Sequence, residues 1–176
     1  MTQPQTLDRD RTAIIIMDFH NRIVNHVARD PQGVVQRAAQ VLEGARRMGI
    51  PVIHIVLGGR GFETGSPDAQ IHPGVAPTPG EPVIAKTKWG AFSTTGLDVL
   101  LREMRRDTLV LMGLSTSGCV LSTMRAAFDL GYKPVVIADA CDDQDPEVHQ
   151  VLTKKIFPLQ GTVLTAEEFL QAAGAS

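Results

Sequence analysis

Near-continuous apolar runs, separated by amphipathic segments, constrain the fold of this chain more than any other feature. The four clearest runs are TAIIIM (12–17), PVIHIVL (51–57), TLVLMG (108–113) and PVVIAD (134–139). Runs of this length are typical of strands that are buried on both faces of a parallel sheet. Two weaker candidates for further strands are PVIA (82–85) and GTVLT (161–165). The sequence therefore predicts a mostly parallel sheet of about six strands.

Helical periodicity fills the segments between these runs. Apolar residues recur at helical spacing in 34–48, 97–104 and 120–128, and Gly49 and Gly131 follow the first and the third. Strands that alternate with helices are typical of an α/β fold. The length of 176 residues suits one domain with a sizeable core. We therefore predict a single domain over 1–176, a doubly wound, Rossmann-like three-layer sandwich.

Residues 58–80 (GGRGFETGSPDAQIHPGVAPTPG) interrupt this alternation. They are rich in glycine and proline and show no periodicity. A loop this long in a compact domain is usually a lid, a binding loop or an oligomer contact. A mobile surface loop is the equally weighted alternative.

Composition excludes several classes of function. A formal net charge of −2 with 20% charged residues gives no electrostatic footprint for nucleic acid or an anionic membrane. The apolar runs are too short to span a bilayer, and the polar start MTQPQTLDRDRT lacks the apolar stretch of a secretory signal. We therefore expect a cytoplasmic protein whose two cysteines are reduced rather than part of a disulfide framework.

Asp18 is the first candidate for chemistry. It directly follows TAIIIM, at the carboxyl end of a predicted strand, where open α/β sheets keep their ligand crevice. A half-buried carboxylate there can act as a general base. The alternative is a turn or helix-capping aspartate.

Cys119 is the second candidate, because GLSTSGCVL places it between a strand and a helix. The free N–H groups and the dipole of a helix start are expected to lower the thiol pKa and can stabilise an oxyanion. The alternative is a small, inert buried residue. Cys141 is flanked by acids in DACDD, which would raise its pKa, and we interpret it as structural.

Lys86 and Lys88 are the third candidates, in VIAKTKWGAF after the weak strand. A lysine close to both a carboxylate and a thiol would stabilise both anions. The alternative is a solvated surface lysine, which is the common case.

Together these segments resemble the isochorismatase-like cysteine hydrolases, over nearly the whole chain. The matching motifs, in order, are TAIIIMDFHN, KTKWGAFSTTGLDVLLR, GLSTSGCVLSTMRAAFDLGY and IADA. The resemblance implies a catalytic triad of Asp18, Lys86 and Cys119, with the first strand beside TLVLMG. It also implies a cis peptide at Leu114–Ser115 and an oxyanion hole formed by the N–H groups of Ser115 and Cys119.

The chain departs from the family pattern in two places. His20 stands where the family usually has glutamine, and HIVLGGRGFETG lacks the metal motif of the nicotinamidases. We therefore predict no metal and do not expect nicotinamide as the substrate. His54 is interpreted as a strand residue that is packed or hydrogen-bonded within the fold. Candidates for the wall of the substrate pocket are Phe19, His20, Trp89 and Phe92.

The resemblance implies cysteine-dependent hydrolysis of a C–N bond in a small amide or ureide, through a thioester and without a cofactor. A vinyl ether hydrolase is one alternative, although family members with that activity commonly lack the cysteine. A non-catalytic binding or assembly domain is the other. The expected partners are a small-molecule substrate and further copies of the chain, as a dimer or tetramer.

Overall fold

Six parallel strands form one sheet in the computed structural model, which describes residues 6–59, 62 and 65–174. The strands are β1 (Thr12–Met17), β2 (Val52–Leu57), β3 (Val83–Lys86), β4 (Thr108–Leu114), β5 (Lys133–Asp142) and β6 (Thr162–Leu164). Their order is β3-β2-β1-β4-β5-β6, and every pairing is parallel. Each predicted strand is confirmed, including the two weaker candidates, and the predicted doubly wound fold is confirmed with them.

Helices connect the strands and cover the sheet. They are α1 (Asn21–Val27), α2 (Pro31–Arg47), α3 (Leu97–Glu103), α4 (Leu121–Asp129), α5 (Pro146–Val151) and α6 (Ala166–Ala172). The three predicted helical segments correspond to α2, α3 and α4, whereas α1 and α5 carry no clear apolar periodicity and were not predicted. Because parallel crossovers are right-handed, α2 covers one face of the sheet, and α3 and α4 cover the other. No helix among the described ranges is both long and apolar enough to pass through a membrane.

The chain reverses its winding direction between β1 and β4, in the middle of the sheet. All residues of both strands are buried, and Met17 pairs with Gly113 at their carboxyl ends. An ideal Cβ on Gly113 would lie 2.9 Å from the carbonyl oxygen of Met17, so only glycine allows the two strand ends to approach this closely. Such a switch point opens a crevice beyond the strand ends, which is where α/β sheets bind ligands.

The predicted loop 58–80 is attached to the domain over much of its length, although Arg60, Gly61, Glu63 and Thr64 lie outside the described residues. Ile71 forms a β-bridge with His20, and the His72 N–H donates to the carbonyl of Phe19 at 2.8 Å. Short 3-10 turns at Pro67–Ala69 and Pro73–Val75 give the segment local structure. These contacts fasten the loop to the residues that follow β1.

Glu81 holds the end of this loop against α2 and β2. Its carboxylate accepts from Arg46 at 2.7 and 2.8 Å, from the Thr78 N–H at 2.9 Å, and lies 3.0 Å from His54 Nε2. Burial alone would raise the pKa of Glu81, but these donors outweigh it and lower the pKa to about 2. His54 is therefore a hydrogen-bonded strand residue, as predicted.

Glu81→Gln is expected to lower the free energy of unfolding by about 1–2 kcal/mol at pH 7, after allowance for solvent screening. The folded-state pKa of about 2 lies below the ordinary value of 4.5, so this stabilisation is present above pH 4.5 and is lost as the pH falls towards 2. Urea unfolding at pH 7 and pH 3 measures the difference. Glu43→Gln, at an exposed ion pair with Arg47, should change stability by less than about 0.5 kcal/mol. An equal Glu81→Gln effect at both pH values would contradict the assignment.

Candidate active site

Three of the predicted site residues meet at the switch point. Asp18 follows β1, Lys86 ends β3 and Cys119 lies in the turn after β4. Lys86 Nζ is 2.7 Å from Asp18 Oδ2 and donates to the carbonyl of Lys88 at 3.2 Å. The three residues are 1–5% exposed and line one cavity of about 700 Å³. The long side chain of Lys86 thus reaches past the end of β2, which separates β3 from β1.

Asp18 is directed into the cavity by an unusual backbone conformation. Its φ is 60°, in the left-handed region that aspartate tolerates better than most residues. Its N–H still donates to the Ile55 carbonyl at 2.9 Å, which continues the β1–β2 pairing. One oxygen contacts Lys86, while Oδ1 is buried and has no hydrogen-bond partner within the described part of the chain. An acceptor is therefore available beside the thiol.

Burial controls the protonation of this cluster. It raises the pKa of Asp18, and the charge of Lys86 opposes that rise. The pKa of Cys119 is raised well above its usual value, first by burial and then by the Asp18 carboxylate, with Lys86 again opposing. The expectation that a helix start lowers this thiol pKa is therefore wrong for the resting protein. The raised pKa favours the protonated thiol, and Sγ lies 3.3 Å from the Leu114 carbonyl oxygen.

The turn that carries Cys119 is held by side chains on several elements. It is a π-helical turn over Thr116–Val120, and the Ser115 hydroxyl accepts from the Gly118 N–H at 3.1 Å. The Asp143 carboxylate accepts from the Ser117 N–H at 2.8 Å, and Thr116 Oγ1 lies 2.8 Å from His149 Nδ1. The peptide bond Leu114–Ser115 is cis, at the position that the family resemblance implied.

The walls of the cavity differ in part from the predicted set. Trp89 lines it, but Phe19, His20 and Phe92 do not, and that prediction is corrected here. Phe19 is 2% exposed and packs in the core. His20 accepts from the Leu57 N–H through Nε2 at 3.0 Å, which leaves Nδ1 to donate to the Ala69 carbonyl at 2.7 Å. Phe92 stacks on Tyr132, with 5.7 Å between ring centroids.

Sequence reasoning missed several lining residues. The apolar ones are Ile23, Val27, Leu57, Phe62 and Leu114, and the polar ones are Thr87, Ser117, Asp143 and Gln144. Asp143 follows a strand at the carboxyl edge of the sheet, as Asp18 does, but the predicted strand ended at 139, so the signal that identified Asp18 did not reach it. It is only 6% exposed.

Cys141, the second free cysteine, lies outside this cluster. Cys141 is 4% exposed and faces Gly113, and burial, with the nearby acids Asp139 and Asp142, raises its pKa to about 12. This favours the structural interpretation.

Across residues 6–59, 62 and 65–174, no cluster of three or more His, Cys, Asp and Glu side chains is arranged to hold a metal ion.

Known proteins resemble this chain over the whole site. Residues 12–168 match the sequence model of the Isochorismatase domain. The isochorismatase family protein YwoC of Bacillus subtilis (strain 168) is 32% identical over 190 residues, covering 97% of this chain and 98% of YwoC. The ureidoacrylate amidohydrolase RutB of Methylobacterium radiotolerans is 28% identical, covering 98% of this chain and 83% of RutB. An isochorismatase family structure from Burkholderia thailandensis has a TM-score of 0.86 at 28% identity, covering 96% and 97% of the two chains.

Proposed function

The chain belongs to the isochorismatase family of hydrolases, and we propose that it hydrolyses a C–N bond of a small amide or ureide through Cys119, Asp18 and Lys86. One observation carries the proposal: a buried Asp18–Lys86 ion pair, 2.7 Å long, lies in the same cavity as the buried thiol of Cys119. Isolating two charges from water is costly, and buried pairs of this kind concentrate at functional sites. The likeness to RutB supports amide chemistry in particular.

In the first half of the proposed reaction, Asp18 accepts the proton of the Cys119 thiol as Sγ attacks the carbonyl carbon of the substrate. The carbonyl oxygen becomes an oxyanion, which the N–H groups of Ser115 and Cys119 stabilise. Asp18 then transfers its proton to the leaving nitrogen. The C–N bond breaks, the amine departs and a thioester on Cys119 remains.

In the second half, Asp18 removes a proton from water, and the resulting hydroxide attacks the thioester. The C–S bond breaks, the acid leaves and Asp18 returns the proton to Sγ. The ammonium of Lys86 favours the ionised form of Asp18 whenever a proton is to be accepted. The raised thiol pKa suits this scheme, because the nucleophile is generated only when the base removes its proton.

Vinyl ether hydrolysis is the competing activity, and it requires Asp18 but not Cys119. A hydroxylamine trap separates the two. The protein is incubated with a panel of primary amides and ureides, and ammonia and the hydroxylamine product are both measured. When hydroxylamine intercepts the thioester, amides yield a hydroxamate and ureides a hydroxyurea, and we expect these products in the native protein and none in Cys119→Ser. Ammonia release that persists in Cys119→Ser, or that never yields either product, would exclude the thioester route.

Asp18→Asn is expected to lower the pKa of Cys119, because the carboxylate beside the thiol raises that pKa and the charge of Lys86 would then favour the thiolate. The measurement is the rate of iodoacetamide alkylation of Cys119 against pH, followed by mass spectrometry of the cysteine-containing peptides. The pH midpoint should move downwards even though amide hydrolysis is lost. Cys141 serves as the internal control and should not shift. An unchanged or higher midpoint for Cys119 would show that Asp18 does not act on the thiol.

The homo-oligomeric state, a dimer or tetramer, stays a prediction of the family resemblance.

A further inference from the structure

The cavity has more room and more apolar surface than hydrolysis of a minimal amide requires. Its volume of about 700 Å³ lies within the range of sites that enclose drug-sized ligands. Its apolar lining consists of Ile23, Val27, Leu57, Phe62, Trp89 and Leu114, beside polar residues that include Asp18, Lys86 and Ser115. A substrate that fills this space carries an apolar group on one side of its C–N bond.

Trp89 is the most distinctive of these walls. It is the only tryptophan of the chain, and it is 69% exposed, which is unusual for so large an apolar side chain. One face of its ring nevertheless packs against the Cα of Gly118. An ideal Cβ on Gly118 would lie 2.4 and 2.5 Å from the Trp89 ring atoms Cζ3 and Cε3. The indole thus rests on the residue that precedes Cys119, and its remaining surface is open to the cavity and to solvent.

Phe62 provides a second aromatic wall of the same cavity. Its ring centroid lies 4.7 Å from that of His20, and Arg22 lies over the ring at 5.8 Å from the centroid. His20 is itself fixed by hydrogen bonds at both ring nitrogens. Two aromatic rings, each in contact with a neighbouring residue, therefore line the cavity that also contains the Cys119 thiol. Aromatic rings in such positions stack on other planar groups.

We propose that the site takes an amide or ureide that carries a planar conjugated group, such as an aromatic ring, and that Trp89 determines this specificity by stacking on that group. The proposal rests on the proposed function for the identity of the reacting bond. The stacking contact itself is independent of turnover. It can therefore be tested in a protein that does no chemistry.

The test uses Cys119→Ala and the intrinsic fluorescence of Trp89, which is the sole tryptophan signal. Benzamide and acetamide are the probes, and cyclohexanecarboxamide controls for size without planarity. We expect a saturable change in emission with benzamide, at a Kd at least about 10-fold below that of cyclohexanecarboxamide, and no saturable change with acetamide. Equal affinity for benzamide and cyclohexanecarboxamide would overturn the stacking proposal.

Calorimetry with the same probes extends the test to Trp89 variants in the Cys119→Ala background. Trp89→Ala should weaken benzamide binding about 10- to 100-fold, and Trp89→Phe should restore most of it. Phe128→Ala removes an aromatic ring that is 47% exposed and does not line the cavity, so it should leave the affinity unchanged. Undiminished benzamide binding in Trp89→Ala would also overturn the proposal.

Failure of the stacking proposal and failure of the proposed function give different experimental results. If native protein hydrolyses aliphatic amides but benzamide does not bind, the hydrolase proposal stands and the stacking proposal falls. If benzamide binds and Trp89→Ala weakens it, yet no amide yields hydroxamate, the stacking proposal stands and the thioester route falls. Emission that changes on dilution of the protein without ligand assigns Trp89 to a contact between subunits, which contradicts the stacking role.

Discussion

Cys119→Ala is expected to lower kcat for amide hydrolysis by at least about 1,000-fold, which corresponds to about 4 kcal/mol of lost transition-state stabilisation. The reason is that Sγ forms the covalent bond of the proposed intermediate, and alanine offers no replacement. The fold should persist, because the substitution removes one buried atom and costs about 1 kcal/mol of stability. Steady-state ammonia release and thermal unfolding measure the two effects on the same preparation.

Cys141→Ala is the matched control for this prediction. Cys141 is also a buried free cysteine, 4% exposed against 1% for Cys119, and it lies on the neighbouring strand β5. Its removal should cost similar stability but change kcat by less than about 3-fold. Comparable losses of activity in both variants would mean that packing near Gly113, rather than nucleophilic attack, accounts for the Cys119→Ala effect.

Lys86→Met is expected to reduce the free energy of unfolding by about 3–5 kcal/mol at pH 8, because it leaves the buried Asp18 carboxylate without its counter-charge. Methionine keeps much of the length and apolar volume of the lysine stem. The loss should also depend on pH. Burial raises the folded-state pKa of Asp18 above its ordinary value, and removing Lys86 raises it further. A group with a raised folded pKa destabilises the fold increasingly as the pH rises towards that pKa. The destabilisation should therefore be smaller at pH 5 than at pH 8.

Two comparisons make this prediction specific. Lys88→Met, at an exposed lysine of the same cavity, should change stability by less than about 0.5 kcal/mol. The double variant Asp18→Asn/Lys86→Met should recover most of the stability lost in Lys86→Met while remaining inactive. Urea unfolding of the four proteins at both pH values is sufficient. A double variant that is less stable than Lys86→Met would show that the two residues are not an interdependent pair.

The strand positions were predictable because burial on both faces of a parallel sheet leaves near-continuous apolar runs, as in β1 and β4. The meeting of Asp18 with Lys86 was predictable only through the family motifs. This contact requires that β3 lies two strands away from β1 and that the lysine side chain is long enough to reach past β2. The periodicity of apolar residues indicates neither. The sign of the thiol pKa shift depends on burial, which the local sequence around Cys119 does not specify.

The pocket walls were the least predictable part. Asp18 adopts a positive φ, and the two residues after it, Phe19 and His20, turn away from the cavity. Asp143 was missed because β5 continues to Asp142, beyond the predicted end at 139, after a shift in its register against β4. Phe62 comes from the loop 58–80, where no periodic pattern indicates which residue faces inwards. Each of these positions is decided by tertiary contacts rather than by local sequence.

The sheet order has a consequence for how the site responds to heat. Lys86 ends β3, a four-residue strand at the open edge of the sheet, whereas Asp18 and Cys119 follow its two central strands. Edge strands of this length fray at a lower free energy than the sheet centre. Fraying of β3 withdraws the ammonium from Asp18 and disconnects the site while β1 and β4 remain paired. We therefore expect the site to lose its ammonium on heating before β1 and β4 separate, because the hydrogen bonds between β3 and β2 open first.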